Sequence, residues 1–234
     1  MTEELERGAS FGAAGARKMS IFMLRHGAPE FPDERPYLYG HSDYPLSELG
    51  LEQARRTAEE LSGVIFERII SSDLTRAVQT AEIVASAHAG KPCGVERDAR
   101  LREIFMGDWD GVPKDEATLA SPEVFRARGV DFANIAAPGG ETFSDLRERA
   151  AGALESIIES SKGMRRILIV AHGGVFWTIL SRLFNVELKD VFRFCQDYCA
   201  LHLVEHDPQD ERGRFRLIFC NRLPTLSRYS DDAI

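Results

Sequence analysis

The chain has 234 residues, of which 44% are hydrophobic and 28% are charged, the balance of a folded globular protein rather than a disordered one. Its formal net charge of −8 argues against a nucleic-acid backbone or an anionic membrane surface as the main partner. The four cysteines include no C-x-x-C pair, so the sequence predicts reduced thiols in a cytoplasm, with no disulfide framework and no structural metal.

The first eighteen residues are rich in small and acidic residues and contain no apolar segment like that of a signal peptide. We therefore expect residues 1–18 to form a flexible tail and residues 19–234 to form a single domain. No apolar stretch approaches the ~20 residues of a membrane-spanning helix, so a membrane is not an expected partner.

Strand and helix signals alternate along the first half of the chain. Residues 21–24, bounded by Gly27, form a short apolar run that predicts a buried strand. Ser47 is a suitable N-cap for a helix that ends near Leu61. Residues 66–72 predict the next strand, and residues 73–88 carry apolar side chains at helical spacing.

The second half of the chain repeats this alternation. Residues 141–163 predict a helix, and residues 165–171 predict the most apolar strand of the chain. Another helix is expected over residues 175–184, followed by strands around residues 198–204 and 214–219.

Strands that alternate with helices indicate βαβ units. The predicted fold class is therefore α/β, a three-layer α/β/α sandwich with a mainly parallel central sheet. The segment from about 114 to 138 is less regular, and we expect a small cap excursion there rather than a separate domain.

Two histidines occur in matching contexts, in "IFMLRHG" and "ILIVAHGG". Ligands of open α/β sheets bind at the carboxyl ends of the strands, so His26 and His172 are expected at the functional edge. The glycines that follow, Gly27 and Gly173, allow the backbone to approach a ligand closely. Each histidine alone is more simply a turn residue without a chemical role, but the repeated context favours a shared site.

Two arginines strengthen this hypothesis. Arg25 directly follows a buried strand and must find water or an anion. If Asp73 caps its helix, Arg76 lies in the first turn, where the helix dipole disfavours a positive charge. An anion-binding site would explain both positions; for Arg76 alone, a surface ion pair with Asp73 is the simpler alternative.

Several blocks in sequence order carry a family resemblance: "LRHG", "SSDLTRAVQTAEIVA", "LREIFMGDWDG", "PGGETFSDLRERA" and "ILIVAHGG". Together they closely resemble the histidine phosphatase superfamily, the phosphoglycerate-mutase-like phosphohydrolases, from about Ile21 to about Leu223. The resemblance implies that residues 19–234 form a histidine-phosphatase-like catalytic domain without a metal or cofactor.

The resemblance also implies the roles of individual residues. His26 would be the nucleophile that forms a phosphohistidine, and Glu103 the general acid that protonates the leaving group. The expected phosphate-binding residues are Arg25, Arg76, His172, Gly173 and Ser42. From the residues alone, Glu103 could not be chosen over the neighbouring carboxylates Asp108 and Asp110.

The chain departs from the family after R-H-G. Many members continue with Glu-Thr and then an asparagine that contacts phosphate, whereas here Pro32 takes the place of that asparagine and has no side-chain donor. The sequence leaves open which group completes the pocket.

The "GDWDG" after Glu103 is similar to the phosphatase branch, and "YGHSDYPLSELG" is similar to α-ribazole phosphatases. The expected activity is a metal-independent phosphomonoesterase acting on a small phosphorylated metabolite, with α-ribazole 5′-phosphate one candidate. A phosphoglycerate-mutase-type phosphotransferase and a non-catalytic phospholigand-binding module are the alternatives, and a homo-oligomer is left open. His202 and His206 could suggest a metal hydrolase, but ordinary exposed histidines on a strand are the favoured interpretation.

Overall fold

A mixed sheet forms the centre of the fold. The computed structural model describes residues 17–87, 94–210 and 214–224. The strands in these residues are β1 (Met19–Arg25), β2 (Tyr37–Leu38), β3 (Arg68–Ser71), β4 (Val95–Arg97), β5 (Val112–Pro113), β6 (Arg166–Ala171), β7 (Leu201–His206) and β8 (Phe215–Arg222). The α-helices are α1 (Glu48–Leu61), α2 (Thr75–Ala87), α3 (Lys114–Ala120), α4 (Pro122–Val130), α5 (Phe143–Ser160) and α6 (Gly173–Phe184).

The strand order confirms a mainly parallel central sheet. Within the described residues the order is β4-β3-β6-β1-β7-β8, while β2 and β5 pair separately. The four strands β4, β3, β6 and β1 of this central sheet are parallel, and within it only the β1–β7 and β7–β8 pairs are antiparallel. The carboxyl ends of β3, β6 and β1 therefore lie side by side at one edge of the sheet.

Alternation along β6 divides the core into two layers. Ile167 and Ile169 belong to the apolar cluster that includes side chains of α5 and α6, whereas Leu168 and Val170 belong to the cluster with α1 and α2. Successive side chains of a strand point to opposite faces, so helices cover both faces of the sheet. This is the predicted three-layer α/β/α arrangement.

The helix ends follow local capping rules in most places. The Ser47 side chain accepts a hydrogen bond from the N–H of Gly50, and α1 ends at Leu61, both as predicted. Thr142 and Asp145 form a capping box that begins α5.

The beginning of α2 was wrongly predicted. Asp73 does not cap this helix, because its carboxylate pairs with Arg102 at 2.6 and 2.7 Å. Asp43 from a distant loop accepts from the N–H and the hydroxyl of Thr75 instead, at 2.6 and 2.7 Å. Arg76 is nevertheless in the first turn of α2, as expected.

Other differences concern the edges of the sheet and the tail. Strand β4 was not predicted, because it has three residues and two of them are exposed. Of the expected tail, residues 1–16 lie outside the described residues, and Lys18 pairs with Asp207 at 3.2 Å. No helix in the described part of the chain is long and apolar enough to cross a membrane.

The excursion at 114–138 contains the short helices α3 and α4. It packs on the rest of the protein through aromatic rings. The ring centroids of Phe125 and Trp109 are 5.4 Å apart, and those of Phe132 and Phe143 are 5.1 Å apart. Trp109 is a buried core residue. The role of this segment as a cap over a leaving group stays a prediction.

Two helical glycines provide a test of the packing beside β1. A glycine-to-alanine change in a helix usually stabilises a protein by roughly 0.5–1 kcal/mol. Gly152→Ala in α5 should do so, because no atom lies within 4 Å of the new Cβ. Gly50→Ala in α1 should instead destabilise, by about 1–3 kcal/mol, because its Cβ would lie 2.1 Å from the Ala28 carbonyl oxygen. Urea unfolding of both variants measures the difference, and a stabilised Gly50→Ala variant would contradict the close contact.

Candidate active site

The two histidines of the repeated motif are neighbours. Arg25 pairs with Ala171 in the parallel β1–β6 register, and the N–H of His26 donates to the Ala171 carbonyl at 3.0 Å. The rings of His26 and His172 consequently lie 5.0 Å apart, centroid to centroid. Ser72 follows β3 at the same edge. The sheet topology therefore brings the predicted pair together.

His26 is held as a neutral imidazole in a defined tautomer. Its side chain is buried, and its Nδ1–H donates to the Gly27 carbonyl at 2.7 Å. Burial, followed by the nearby charges of Arg76 and Arg25, holds the pKa of His26 well below its usual range. Because Nδ1 carries the proton, the lone pair of Nε2 is available for attack on an electrophile.

His172 is also fully buried and neutral. Burial is the main cause of its strongly lowered pKa, with further contributions from Arg76 and His26. Its Nε2 lies 2.8 Å from the hydroxyl of Ser72. Its Nδ1 has no hydrogen-bond partner among the described residues. His172 therefore offers a polar ring atom next to the nucleophile candidate.

Of the two predicted arginines, Arg76 lies in the interior and Arg25 is half-buried, and neither has a carboxylate partner among the described residues. Arg76 is completely buried and donates to the carbonyls of Gly40 and Ser42 at 2.7 and 2.8 Å, so the surface pair with Asp73 is excluded. Arg25 donates to the carbonyl of Gln196. Neither guanidinium has an ion pair within residues 17–87, 94–210 and 214–224, and both Nε atoms lack partners there. Buried cations of this kind favour an anionic ligand.

A pair of tyrosines joins the two arginines. The guanidinium carbon of Arg25 lies 4.1 Å from the ring centroid of Tyr198, and that of Arg76 lies 5.1 Å from the ring centroid of Tyr39. The two hydroxyl oxygens are 2.8 Å apart. Burial and the neighbouring Tyr198 raise the pKa of Tyr39, so its hydroxyl keeps its proton. Tyr198 was not predicted, because no local sequence pattern links it to Tyr39.

Glu103 lies against the first turn of α6. Its Oε2 accepts from the N–H of Gly174 at 3.0 Å, and its Oε1 accepts from the N–H of Ile104 at 2.8 Å. A side chain at position 174 would meet the Glu103 carboxylate at 2.3 Å, so the absence of one allows this approach. The backbone carbonyl of Glu103 accepts from Arg149 at 3.2 Å and from His41 at 3.0 Å.

The two neighbouring carboxylates have other surroundings. Asp108 is exposed. Asp110 accepts from the backbone N–H groups of Gly40, His41 and Ser42 at 3.3, 2.8 and 2.7 Å. Burial acts to raise the pKa of Asp110, but hydrogen bonds from Ser42, His41 and Gly40 outweigh it and lower the pKa. Asp110 therefore holds the loop whose carbonyls bind Arg76.

The remaining predicted binding residues lie around this cluster. The Ser42 hydroxyl donates to Asp110, so its hydrogen is already used, and its predicted contact with phosphate stays a prediction. Gly173 begins α6 directly after His172. Pro32 is exposed, and the adjacent Phe31 stacks on Tyr37 at 5.5 Å.

His202 was wrongly expected to be exposed. It is fully buried on β7, where its Nδ1 accepts from the N–H of Asn221 at 3.1 Å and lies 3.2 Å from the Cys220 sulfur. Burial lowers the pKa of His202 to about 4. The described residues contain no group of three or more His, Cys, Asp or Glu side chains arranged to hold a metal ion.

Comparisons with known proteins agree with this geometry. The sequence profile of the histidine phosphatase superfamily (branch 1) matches residues 21–218. Phosphoglycerate mutase-like protein 4 of Arabidopsis thaliana is 38% identical over 164 residues, which cover 69% of this chain and 70% of that protein.

Two solved structures have a similar fold. The α-ribazole phosphatase from Shigella flexneri is 25% identical with a TM-score of 0.78, covering 87% of this chain and 96% of that one. A mycobacterial glucosyl-3-phosphoglycerate phosphatase is 28% identical with a TM-score of 0.75, covering 88% and 99%.

The protonation of His26 can be measured directly. Long-range ¹H–¹⁵N NMR should show the Nδ1–H tautomer, with no protonation of Nε2 between about pH 8 and pH 6, whereas an ordinary histidine titrates near pH 6.5. His26→Asn removes the assigned signals and serves as the control. An Nε2–H tautomer, or a titration near the ordinary value, would contradict the geometry of the site.

Proposed function

The chain belongs to the histidine phosphatase superfamily, and from this we propose that it is a phosphomonoesterase that transfers a phosphoryl group to His26 and then to water. The observation that carries the proposal is a neutral His26 imidazole beside two guanidiniums, the buried one of Arg76 and the half-buried one of Arg25, that have no carboxylate partner among the described residues. A nucleophile that needs no deprotonation and a cationic pocket are the two requirements of this reaction.

In the first step, Nε2 of His26 attacks phosphorus. A P–N bond forms as the bond between phosphorus and the ester oxygen breaks, and the leaving oxygen takes a proton from the carboxylic acid of Glu103. Arg25 and Arg76 balance the charge on the phosphoryl oxygens. The buried His172 ring, 5.0 Å from that of His26, is positioned to contact the same group.

In the second step, the Glu103 carboxylate accepts a proton from water. The water oxygen attacks phosphorus, the P–N bond breaks, and inorganic phosphate and neutral His26 are formed. The two N–H groups that bind the Glu103 carboxylate keep it beside the first turn of α6 in both steps. Since the guanidiniums supply the positive charge, the proposed mechanism needs no metal ion.

The substrate that we propose is a small phosphorylated metabolite. Similar structures are named for α-ribazole phosphatase and for glucosyl-3-phosphoglycerate phosphatase, which supports a phosphomonoester with an organic leaving group. α-Ribazole 5′-phosphate is therefore one candidate. Substrate choice depends on groups outside the phosphoryl pocket, and the fold does not determine it.

A mutase-type phosphotransferase is the second candidate. It is favoured by the name of the Arabidopsis relative, which is mutase-like. The two candidates share the phosphohistidine and differ in the acceptor, which is water in one and a second hydroxyl of a phosphorylated acid in the other. A non-catalytic binding module is less well supported, because the chain carries a candidate nucleophile, a candidate acid and candidate phosphate-binding cations.

Leaving-group dependence tests the role of Glu103 and the reaction together. In the presence of EDTA, the wild-type protein should release phosphate from p-nitrophenyl phosphate and from alkyl phosphates. In single-turnover measurements of leaving-group release, which report the first step alone, Glu103→Gln should lower the rate on alkyl phosphates by about 10²–10⁴-fold, with a much smaller effect on p-nitrophenyl phosphate, whose leaving group needs little protonation.

Asp108→Asn is the matched control, because Asp108 lies in the same loop but is exposed. It should leave both rates unchanged. Equal slowing of the first step for all substrates by Glu103→Gln would contradict the general-acid role. Loss of all wild-type activity in EDTA would contradict the metal-free reaction. Phosphoryl transfer to a hydroxyl acid in preference to phosphate release would favour the mutase.

A further inference from the structure

Gln196 is a buried amide without a hydrogen-bond partner. Its residue is only 7% exposed, and neither Oε1 nor Nε2 forms a hydrogen bond within the part of the chain that the structure describes. The amides of Gln53 and Gln79, in contrast, accept from backbone N–H groups at 2.9 and 2.8 Å. An unpaired buried amide destabilises a protein, so its presence points to a role in binding.

The position of Gln196 is beside the proposed phosphoryl pocket. Its backbone carbonyl accepts a hydrogen bond from Arg25. Its Cβ and the Nε of Arg25 both lie 3.6 Å from the point where a Cβ on Gly173 would be. Gln196 therefore lies beside both Arg25 and Gly173, the first residue of α6, which directly follows His172.

Two residues next to Gln196 and Gly173 also have buried polar atoms without hydrogen-bond partners. They are the Nε of Arg25 and the Nδ1 of His172, both buried and without hydrogen bonds to any described residue. Three neighbouring side chains thus have unused hydrogen-bonding atoms. A phosphoryl group, which brings several acceptor oxygens, could satisfy the donors among them at once.

The segment that carries Gln196 is fixed to the strand of the nucleophile. The N–H of Cys199 donates to the His26 carbonyl at 3.2 Å, and the N–H of Arg25 donates to the Ala200 carbonyl at 3.1 Å. Asp197 exchanges two hydrogen bonds with the side chain of Asn221, at 2.8 and 2.6 Å. Gln196 is therefore held in place before any ligand binds, as a binding residue should be.

We propose that Gln196 is a substrate-binding residue whose side-chain amide donates a hydrogen bond to the phosphoryl group. Many family members have a phosphate-contacting asparagine where this chain has the exposed Pro32, which has no side-chain donor. Gln196 would supply that neutral donor instead. This inference rests on the proposed function, because it assumes that the pocket binds a phosphoryl group.

Gln196→Met tests the inference, since methionine has a similar length but no strong donor. The inhibition constants of orthovanadate and inorganic phosphate, measured with p-nitrophenyl phosphate, should rise by about tenfold. The melting temperature should stay the same or rise, because the change removes an unpaired buried amide.

Gln79→Met is the matched control. Its amide accepts from the N–H of Leu46 in the folded protein, so this variant should have a lower melting temperature and unchanged inhibition constants. The opposite responses of the two glutamines separate a binding role from a structural one.

Gln196→Glu provides a second variant of the same size as the native side chain. Its carboxylate should repel the anions, so the loss of vanadate affinity relative to wild type should grow as pH rises and the carboxylate ionises. A pH-independent affinity equal to that of wild type would overturn the inference.

The outcomes separate this inference from the proposed function. If wild type binds vanadate and both Gln196 variants bind it within about twofold of wild type, Gln196 is not a binding residue and the proposed function still stands. If Gln196→Met lowers the melting temperature and leaves the inhibition constants unchanged, its role is structural and the inference is wrong. If wild type neither binds vanadate nor hydrolyses phosphomonoesters, the proposed function and the inference both fail.

Discussion

Next to His26, Arg76 is buried and Arg25 is half-buried, their partners among the described residues are carbonyl groups rather than carboxylates, and the rest of the site depends on this arrangement. Removing a guanidinium from water without an opposite charge is unfavourable, so the fold must compensate for it elsewhere. The same two charges help to keep the imidazoles of His26 and His172 neutral. In the proposed reaction they also attract the phosphate and stabilise the charge of the transition state.

The surrounding loops hold these groups without neutralising them. Asp110 binds the backbone of residues 40–42 through N–H groups and leaves their carbonyls for Arg76. Arg149 pairs with Glu141 at 2.7 Å and also donates to the backbone carbonyl of Glu103. The carboxylates near the site are thus used to position loops, and the guanidiniums stay available for an anion. The two apolar layers on the faces of the sheet stabilise the fold that holds these groups.

The sequence was informative where local pattern determines structure. Strands β1 and β6 are apolar runs because both faces of the sheet are covered, and that made the places of His26 and His172 predictable. Ser47 could be recognised as a cap because its partner is three residues away. Glu103 came from the family resemblance, and only the contact with Gly174 distinguishes it physically from Asp108.

What could not be predicted depends on residues that are far apart in the chain. Asp43 caps α2 from 32 positions away in the chain, and the hydroxyl of Tyr39 contacts that of Tyr198, 159 positions away. His202 is buried because Phe176 of α6 packs 5.6 Å from its ring and Cys220 and Asn221 of β8 contact its Nδ1, which the alternation of a single strand does not reveal. The helix signal of α2 was correct because it rested on apolar spacing, and Arg76 lies in the first turn as expected, although Asp73 does not cap the helix. The anion-site hypothesis for Arg76 stays a prediction.

Trapping the phosphoenzyme tests the central claim most directly. Glu103→Gln should still accept a phosphoryl group from p-nitrophenyl phosphate, because that leaving group needs little acid, but should transfer it to water slowly. Quenching at neutral or alkaline pH and mass spectrometry should then find one acid-labile phosphoryl group on His26, absent from His26→Asn. A phosphoryl group on another residue would contradict the account. So would a variant that lacks His26 but turns over substrate at the wild-type rate.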